Sequence, residues 1–200
     1  MSLESEIQSA LATLREGGTL LYPTDTIWGI GCDATNEQAV EKIFSIKQRM
    51  ESKSLICLVS DVSMLNRFVK DVPEMAWELM EASETDEDGE PGRPLTIIYD
   101  FPRALAKNVL AADGSVGIRM VTREKNEFCH KLIHKFGRPL VSTSANISGM
   151  PAPECFAEIS EEVKTTVGHV VNWQQNDHAK QLPSSIIKLR SNGEFLIVRA

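Results

Sequence analysis

The sequence predicts an α/β fold, an open, twisted, mixed β-sheet flanked by helices, and three observations carry that expectation. Segments with apolar residues at helical spacing alternate with short apolar runs through most of the chain. No stretch repeats another, which excludes a solenoid or propeller. The 200 residues suffice for one full core and leave little room for a second, so 1-200 is expected to form a single domain.

Taken in order, Leu3, Ile7, Ala10, Leu11 and Leu14 recur at helical spacing, and Gly17-Gly18 supplies the stop. Thr19 to Tyr22 is a short strand, which Pro23-Thr24-Asp25-Thr26 breaks into a polar loop, with Gly29 and Gly31 keeping the backbone open on its far side. Asn36 can cap a second helix carrying Ala39, Val40, Ile43, Phe44 and Ile46, which ends near Lys47-Gln48-Arg49. Leu55 to Val59 is an apolar strand, Asp61 caps a helical pattern through Phe68, and Pro73 at a first-turn position opens another helix towards Met80. Glu81 to Glu90 is the most acidic run. It lacks the spacing of a calcium loop and reads as a solvated one. Leu95 to Tyr99 and Val116 to Val121 are strands, and Phe128, Cys129, Leu132, Ile133 and Phe136 line a helix that starts near Thr122. Arg138-Pro139-Leu140 is a short buried strand leading into Val141 to Gly149, a stretch of small hydroxyl and amide residues with a Pro-rich exit at Pro151 and Pro153. Val167 to Val171, Ser185 to Leu189 and Phe195 to Val198 supply the last strands.

The apolar fraction of 42% and charged fraction of 24% are those of an ordinary globular chain. No apolar run approaches a membrane span and Met1 to Glu16 has no signal-peptide architecture, so a cytoplasmic protein without a membrane role is expected. Cys32, Cys57, Cys129 and Cys155 are scattered without a C-x-x-C pair and read as reduced thiols. A net charge of −7 argues against a nonspecific nucleic-acid coat, although a local basic pocket depends on placement rather than on the sum.

The common nucleotide and hydrolase signatures are missing. There is no G-x-x-x-x-G-K-[ST], Gly29-Ile30-Gly31 lacks the third glycine of a dinucleotide fingerprint, and without a G-x-S-x-G elbow Ser144 is a poor nucleophile. His130 and His134 have metal-ligand spacing but no third ligand, so they read as a surface pair and no metal site is expected from protein ligands. The 141–149 stretch offers hydroxyls, an amide and backbone N–H groups to an oxyanion, although alone it reads first as a connecting turn. Lys47-x-Arg49, with Lys53 close behind, is a compact positive cluster. It is read equally as complement to a helix C-terminus and as a phosphate clamp. Joined to Ser144-Ala145-Asn146, the cluster becomes specific.

K-x-R followed far downstream by S-x-N resembles the threonylcarbamoyl-AMP synthases (the YrdC/Sua5/TsaC family). The resemblance covers nearly the whole chain. It includes Leu21 to Asp33, similar to the family's YPT[ED]T-x-[YF]-G-[LI]-G opening, then Pro94-Leu95-Thr96, Val116 to Arg119, Pro139 to Gly149, Ser184 to Ile187 and Arg199. The chain departs from the pattern at Met50, where the family carries proline after K-x-R, and at Arg93, an extra residue in a segment that has lost its aromatic.

The resemblance implies a YrdC-like, DHBP-synthase-like fold and an adenylate-forming enzyme in its short form. Such an enzyme converts L-threonine, bicarbonate or CO₂, and ATP into threonylcarbamoyl-AMP and pyrophosphate. It feeds the threonylcarbamoyladenosine modification of tRNA through downstream tRNA threonylcarbamoyl transferase proteins. By the same resemblance Lys47 and Arg49 are catalytic, and Arg49, Lys53, Thr96, Ser144, Asn146 and Arg199 bind ATP. Thr26, Arg119, Ser142 and Ser184 bind threonine, and Mg²⁺ arrives with ATP, mostly on phosphate oxygens and water. Two rivals are a weakly active or non-catalytic relative that binds double-stranded RNA, and a carbamoyl-adenylate domain of the hydrogenase-maturation type. The acidic balance disfavours the first and the length the second.

Overall fold

Local chemistry starts and stops the helices much as the sequence suggests. In a computed structural model that describes residues 2–48, 55–85, 89, 92–177, 183–190 and 193–199, α1 spans Leu3–Arg15. Its cap, Ser2, accepts the Ser5 N–H while the Ser5 hydroxyl accepts the Ser2 N–H, and Ile7, Ala10, Leu11 and Leu14 are buried on one face. Asn36 caps α2 (Glu37–Lys47), which ends on Gln48 in the left-handed region. Asp61 caps α3 (Val62–Phe68) by accepting the Met64 N–H. α4 is Glu74–Ala82, α5 is Glu127–Phe136 and α6 is Glu161–Thr166.

The strands are β1 (Leu20–Tyr22), β2 (Gly29–Gly31), β3 (Ile56–Val59), β4 (Leu95–Tyr99), β5 (Val116–Met120), β6 (Leu140–Ser144), β7 (His169–Val170), β8 (Ser185–Leu189) and β9 (Phe195–Arg199). They form one nine-stranded sheet in the order β7-β1-β2-β6-β3-β5-β4-β8-β9. The pairs β1–β7, β3–β5 and β4–β8 are parallel and the others antiparallel, so the sheet is mixed, as expected. α1 and α5 pack against each other, α1 against β1 and β7, and α5 against β3. The last strand is a sheet edge on which Phe195, Leu196, Ile197 and Val198 are all exposed.

Four local expectations are corrected. Gly29–Gly31 is a strand rather than an open loop wall. A Cβ at Gly31 would collide with the Val141 carbonyl and the Tyr22 ring, so only glycine lets β2 lie between its neighbours. The fifth helix starts at Glu127 instead of near Thr122, because Asn126 takes the cap and accepts the Cys129 N–H. Pro73 is itself the cap of α4, with no side-chain hydrogen bond, rather than a first-turn residue. The strand expected at 138–140 is Leu140–Ser144, so strand alternation governs Ser142 and Ser144.

One buried acid ties the N-terminal helix to the far edge of the sheet. Glu6 is 2% exposed, and its carboxylate accepts the Asn172 N–H at 2.8 Å beside His169. Glu6→Ala leaves that N–H unpaired in the interior. It is expected to lower unfolding stability by about 1–3 kcal/mol, read from urea midpoints at unchanged m.

Candidate active site

Period-two alternation brings the chemistry to one face of the sheet. Ile56 of β3, Thr96 and Ile98 of β4, Gly117 and Arg119 of β5, Ser142 and Ser144 of β6 and Ile186 of β8 all line one cleft. Val59, Ile97, Tyr99, Val116, Ile118 and Val141 are buried in the core. The cleft encloses about 400 Å³, a volume suited to a small-molecule site. Every lining residue comes from a strand or a loop, so this part of the sheet face is left uncovered by helices.

Three constellations border the cleft. The first is the 24–28 loop. Thr24 Oγ1 accepts the Thr26 N–H at 3.1 Å, donates to the Ile27 carbonyl at 2.8 Å, and lies 3.0 Å from Thr26 Oγ1. Asn126, the cap of α5, donates to the Thr24 carbonyl at 3.1 Å, which ties the loop to the helix. Arg119 reaches across from β5 to Thr26 Oγ1 at 3.4 Å and to Asp25 at 2.9 Å.

The second constellation joins Thr96, Ser184 and Arg199. The two hydroxyls lie 3.0 Å apart, and Arg199 donates to the Ser184 carbonyl at 2.8 Å and to its hydroxyl at 3.1 Å. Burial, and then the guanidiniums of Arg93 and Arg119, pull Arg199 below its ordinary pKa. Arg119 and Arg199 both line the cleft, with Arg93 close to its Pro183 rim. Arg93 also donates to the Pro183 carbonyl at 2.8 Å. Such a gathering of like charge favours an anionic occupant.

The third is the loop after β6. Lys47, at the end of α2 and only 2% exposed, donates to the carbonyls of Ser144 at 2.6 Å and Asn146 at 2.8 Å, and approaches Asn146 Oδ1 at 3.4 Å. Asn146 Nδ2 donates to the carbonyls of Ile147 and Met150, while Oδ1 accepts from Ser144 Oγ. This arrangement departs from the expected clamp. The Lys47 ammonium is turned onto protein oxygens, where it fixes the course of the loop. Arg49 and Lys53, expected beside it, lie outside the described residues. Among the other residues expected at the site, Thr26, Thr96, Arg119, Ser142, Ser144, Ser184 and Arg199 all line the cleft, and Asn146 stands directly behind Ser144.

Other groups at the cleft were not singled out from the sequence. Ile56, Ile98, Ile186, Val198 and Gly117 form an apolar floor, and Trp28 packs over the loop side with its ring 4.7 Å from Phe156. The alternation in β3, β4, β5 and β8 was the available signal. Asp25 was visible only as the acidic position of the 21–33 opening motif, with no role attached to it. The cysteines take no part: burial raises the thiols of Cys32, Cys57 and Cys129, Cys57 to about 12. No helix among the described residues is long and apolar enough to cross a membrane.

The geometry agrees with what comparison finds. The family model Sua5_yciO_yrdC, described as Telomere recombination, matches residues 12–200. A Pseudoalteromonas translucida protein named Threonylcarbamoyl-AMP synthase is 30% identical over 172 residues, covering 86% of this chain and 88% of that one. A Pseudomonas aeruginosa protein of the same name is 33% identical over 173 residues, covering 84% and 88%. The crystal structure of P. abyssi Sua5 complexed with L-threonine superposes with a TM-score of 0.77 at 27% identity, over 92% of this chain and 50% of that longer protein. With the family model spanning most of the sequence and the same sheet beneath it, the chain belongs to the Sua5/YciO/YrdC family.

Proposed function

We propose that the cleft makes threonylcarbamoyl-AMP and pyrophosphate from L-threonine, bicarbonate or CO₂, and ATP. One observation carries the reading. A single uncovered sheet face presents an arginine set among hydroxyls, an apolar floor and an oxygen-rich loop, in a chain whose relatives are named Threonylcarbamoyl-AMP synthase.

The threonine amine adds to CO₂ and loses a proton to give a carbamate. A carbamate oxygen then attacks the α-phosphorus of ATP, and the bond to the bridging oxygen of the β-phosphate breaks with release of pyrophosphate. No covalent protein nucleophile is needed, so catalysis rests on positioning and on charge neutralisation. Arg119, Thr26, Ser142 and Ser184 are suited to the threonine carboxylate and hydroxyl. The floor of Ile56, Ile98, Ile186 and Val198 suits a planar base, and Gly117 keeps it flat. Thr96, Ser144 and Arg199 face the remaining volume, where phosphate oxygens would lie, with Asn146 fixing Ser144 and Lys47 fixing both.

Among the described residues the cleft lining contains no carboxylate, and no cluster of three His, Cys, Asp or Glu side chains is suited to a metal. That donor set fits a Mg²⁺ held by phosphate oxygens and water, which would neutralise charge on the departing pyrophosphate. The product is proposed to pass, in the cytoplasm, to tRNA threonylcarbamoyl transferase proteins.

Purified protein given ATP, Mg²⁺ and bicarbonate is expected to release pyrophosphate only when L-threonine is added. Folded protein that binds ATP but releases none under these conditions would remove the catalytic reading, and double-stranded RNA binding would be measured next.

A further inference from the structure

Asp25 stands apart from the other well-buried or hydrogen-bonded aspartates of this chain. Asp33 accepts from the Thr35 N–H and hydroxyl and from Arg138. Asp61 accepts from the Ser60 hydroxyl and the Met64 N–H, and Asp113 from the Ser115 N–H and hydroxyl and from Lys188. Each of these shapes a turn or caps a helix, and structural buried carboxylates are normally satisfied in this way. The Asp25 side chain is 0% exposed, yet neither of its oxygens has a hydrogen bond of good geometry. Among the described residues its ion-pair partner is the Arg119 guanidinium, with Nη2 2.9 Å from Oδ1. The distance is that of an ion pair, while the N–H bonds are not directed at the carboxylate. Arg119 is itself buried, its Nε has no partner, and it lines the cleft.

This geometry is poor for holding a fold together and good for holding a guanidinium. An unpaired arginine at this depth would swing towards solvent or towards a backbone carbonyl. A fully hydrogen-bonded one would have no donor left for a ligand. An off-axis carboxylate fixes the position of the charge and leaves donors uncommitted.

We propose that Asp25 is a positioning residue for L-threonine: from behind the cleft it presets Arg119 to receive the amino-acid carboxylate. The proposal rests on the reading of Arg119 as the carboxylate-binding group. The ATP phosphates are not expected to depend on Asp25, because its oxygens make no hydrogen bond to Ser144, Asn146, Thr96 or Arg199.

The test is calorimetric titration of L-threonine and of ATP into wild type, Asp25→Asn, Asp25→Glu, Arg119→Met and the Asp25→Asn/Arg119→Met double variant. Asp25→Asn is expected to weaken L-threonine binding on the order of 10- to 100-fold, the size of effect that follows from misplacing a contact group. ATP affinity is expected to stay unchanged, with Asp25→Glu falling between Asp25→Asn and wild type. The double variant is expected to bind L-threonine no worse than Arg119→Met alone, since the carboxylate acts only through the guanidinium. L-threoninamide, which lacks the carboxylate, is expected to bind wild type and Asp25→Asn equally.

A folded Asp25→Asn with wild-type affinity for L-threonine, or with an equal loss for ATP, would overturn the proposal. If Asp25→Asn does not fold, Asp25→Ser, which also lacks the carboxylate, decides on the same two affinities: a loss for L-threonine alone supports the role, and no loss removes it. Wild type that binds no L-threonine would instead remove the substrate reading beneath it.

Discussion

Lys47→Met is expected to reduce pyrophosphate release on the order of 100-fold, as misplacement of a positioned group by about 1 Å does. It is also expected to lower unfolding stability by about 3 kcal/mol through the oxygens it leaves unpaired. The ammonium sits between the end of α2 and the loop after β6, with the Ser144 and Asn146 carbonyls converging on it. Without it those carbonyls lose their shared donor, and the segment that presents Ser144 to the cleft loses its course. The diagnostic variant is Lys47→Arg. If the residue served as a mobile point charge for phosphate, arginine would retain much of the activity. Because it is a compact donor engaged by the Ser144 and Asn146 oxygens, the longer planar guanidinium cannot replace it, and Lys47→Arg is expected to lose activity nearly as far as methionine. Pyrophosphate release measured alongside a thermal melt separates the two roles.

Arg119→Met carries the second large effect, and here stability and binding come apart. Removing the guanidinium leaves the Asp25 carboxylate buried without a counter-charge, which costs about 3–5 kcal/mol for a pair this deep. L-threonine-dependent turnover is expected to disappear in the same variant. Adding Asp25→Asn removes the stranded charge and restores much of the stability, while turnover stays lost. Denaturant midpoints that recover in the double variant without recovery of pyrophosphate release would establish that the pair is a burden on the fold carried for the ligand. Midpoints that do not recover would assign the pair to the core.

The amphipathic helices and most strands could be read from spacing alone, because burial acts on each side chain separately and leaves its period in the sequence. Gly29–Gly31 could not, since a strand of two glycines and one isoleucine has no alternation to read and owes its place to the Tyr22 ring and the Val141 carbonyl. The start of α5 was misplaced because Thr122 and Asn126 can both cap, and contact with the 24–28 loop favours Asn126, whose Nδ2 donates to Thr24. The hydroxyl-rich run around Ser142 and Ser144 was visible as a ligand-approach segment. Its strand character, which points both hydroxyls into one cleft, came only with the pairing of β6 to β2 and β3. Lys47 was visible as a cation but not as a buried one, and Asp25 finds Arg119 across a separation that composition cannot bridge.

The strand order also constrains how the molecule comes to exist on the ribosome. β1 takes a partner at His169–Val170, β4 takes one at Ser185–Leu189, and Ser184, Ile186, Val198 and Arg199 complete the cleft. Sequence separations this long make for slow pairing: β1 keeps an unpaired edge until His169–Val170 has emerged, and β4 until Ser185–Leu189 has. A pause in translation before residue 169 is reached therefore leaves an intermediate with both edges open and without the part of the cleft supplied by Ser184, Ile186, Val198 and Arg199, so a ligand of the finished cleft cannot rescue it. The cleft is finished only after both of these long-range pairings can form.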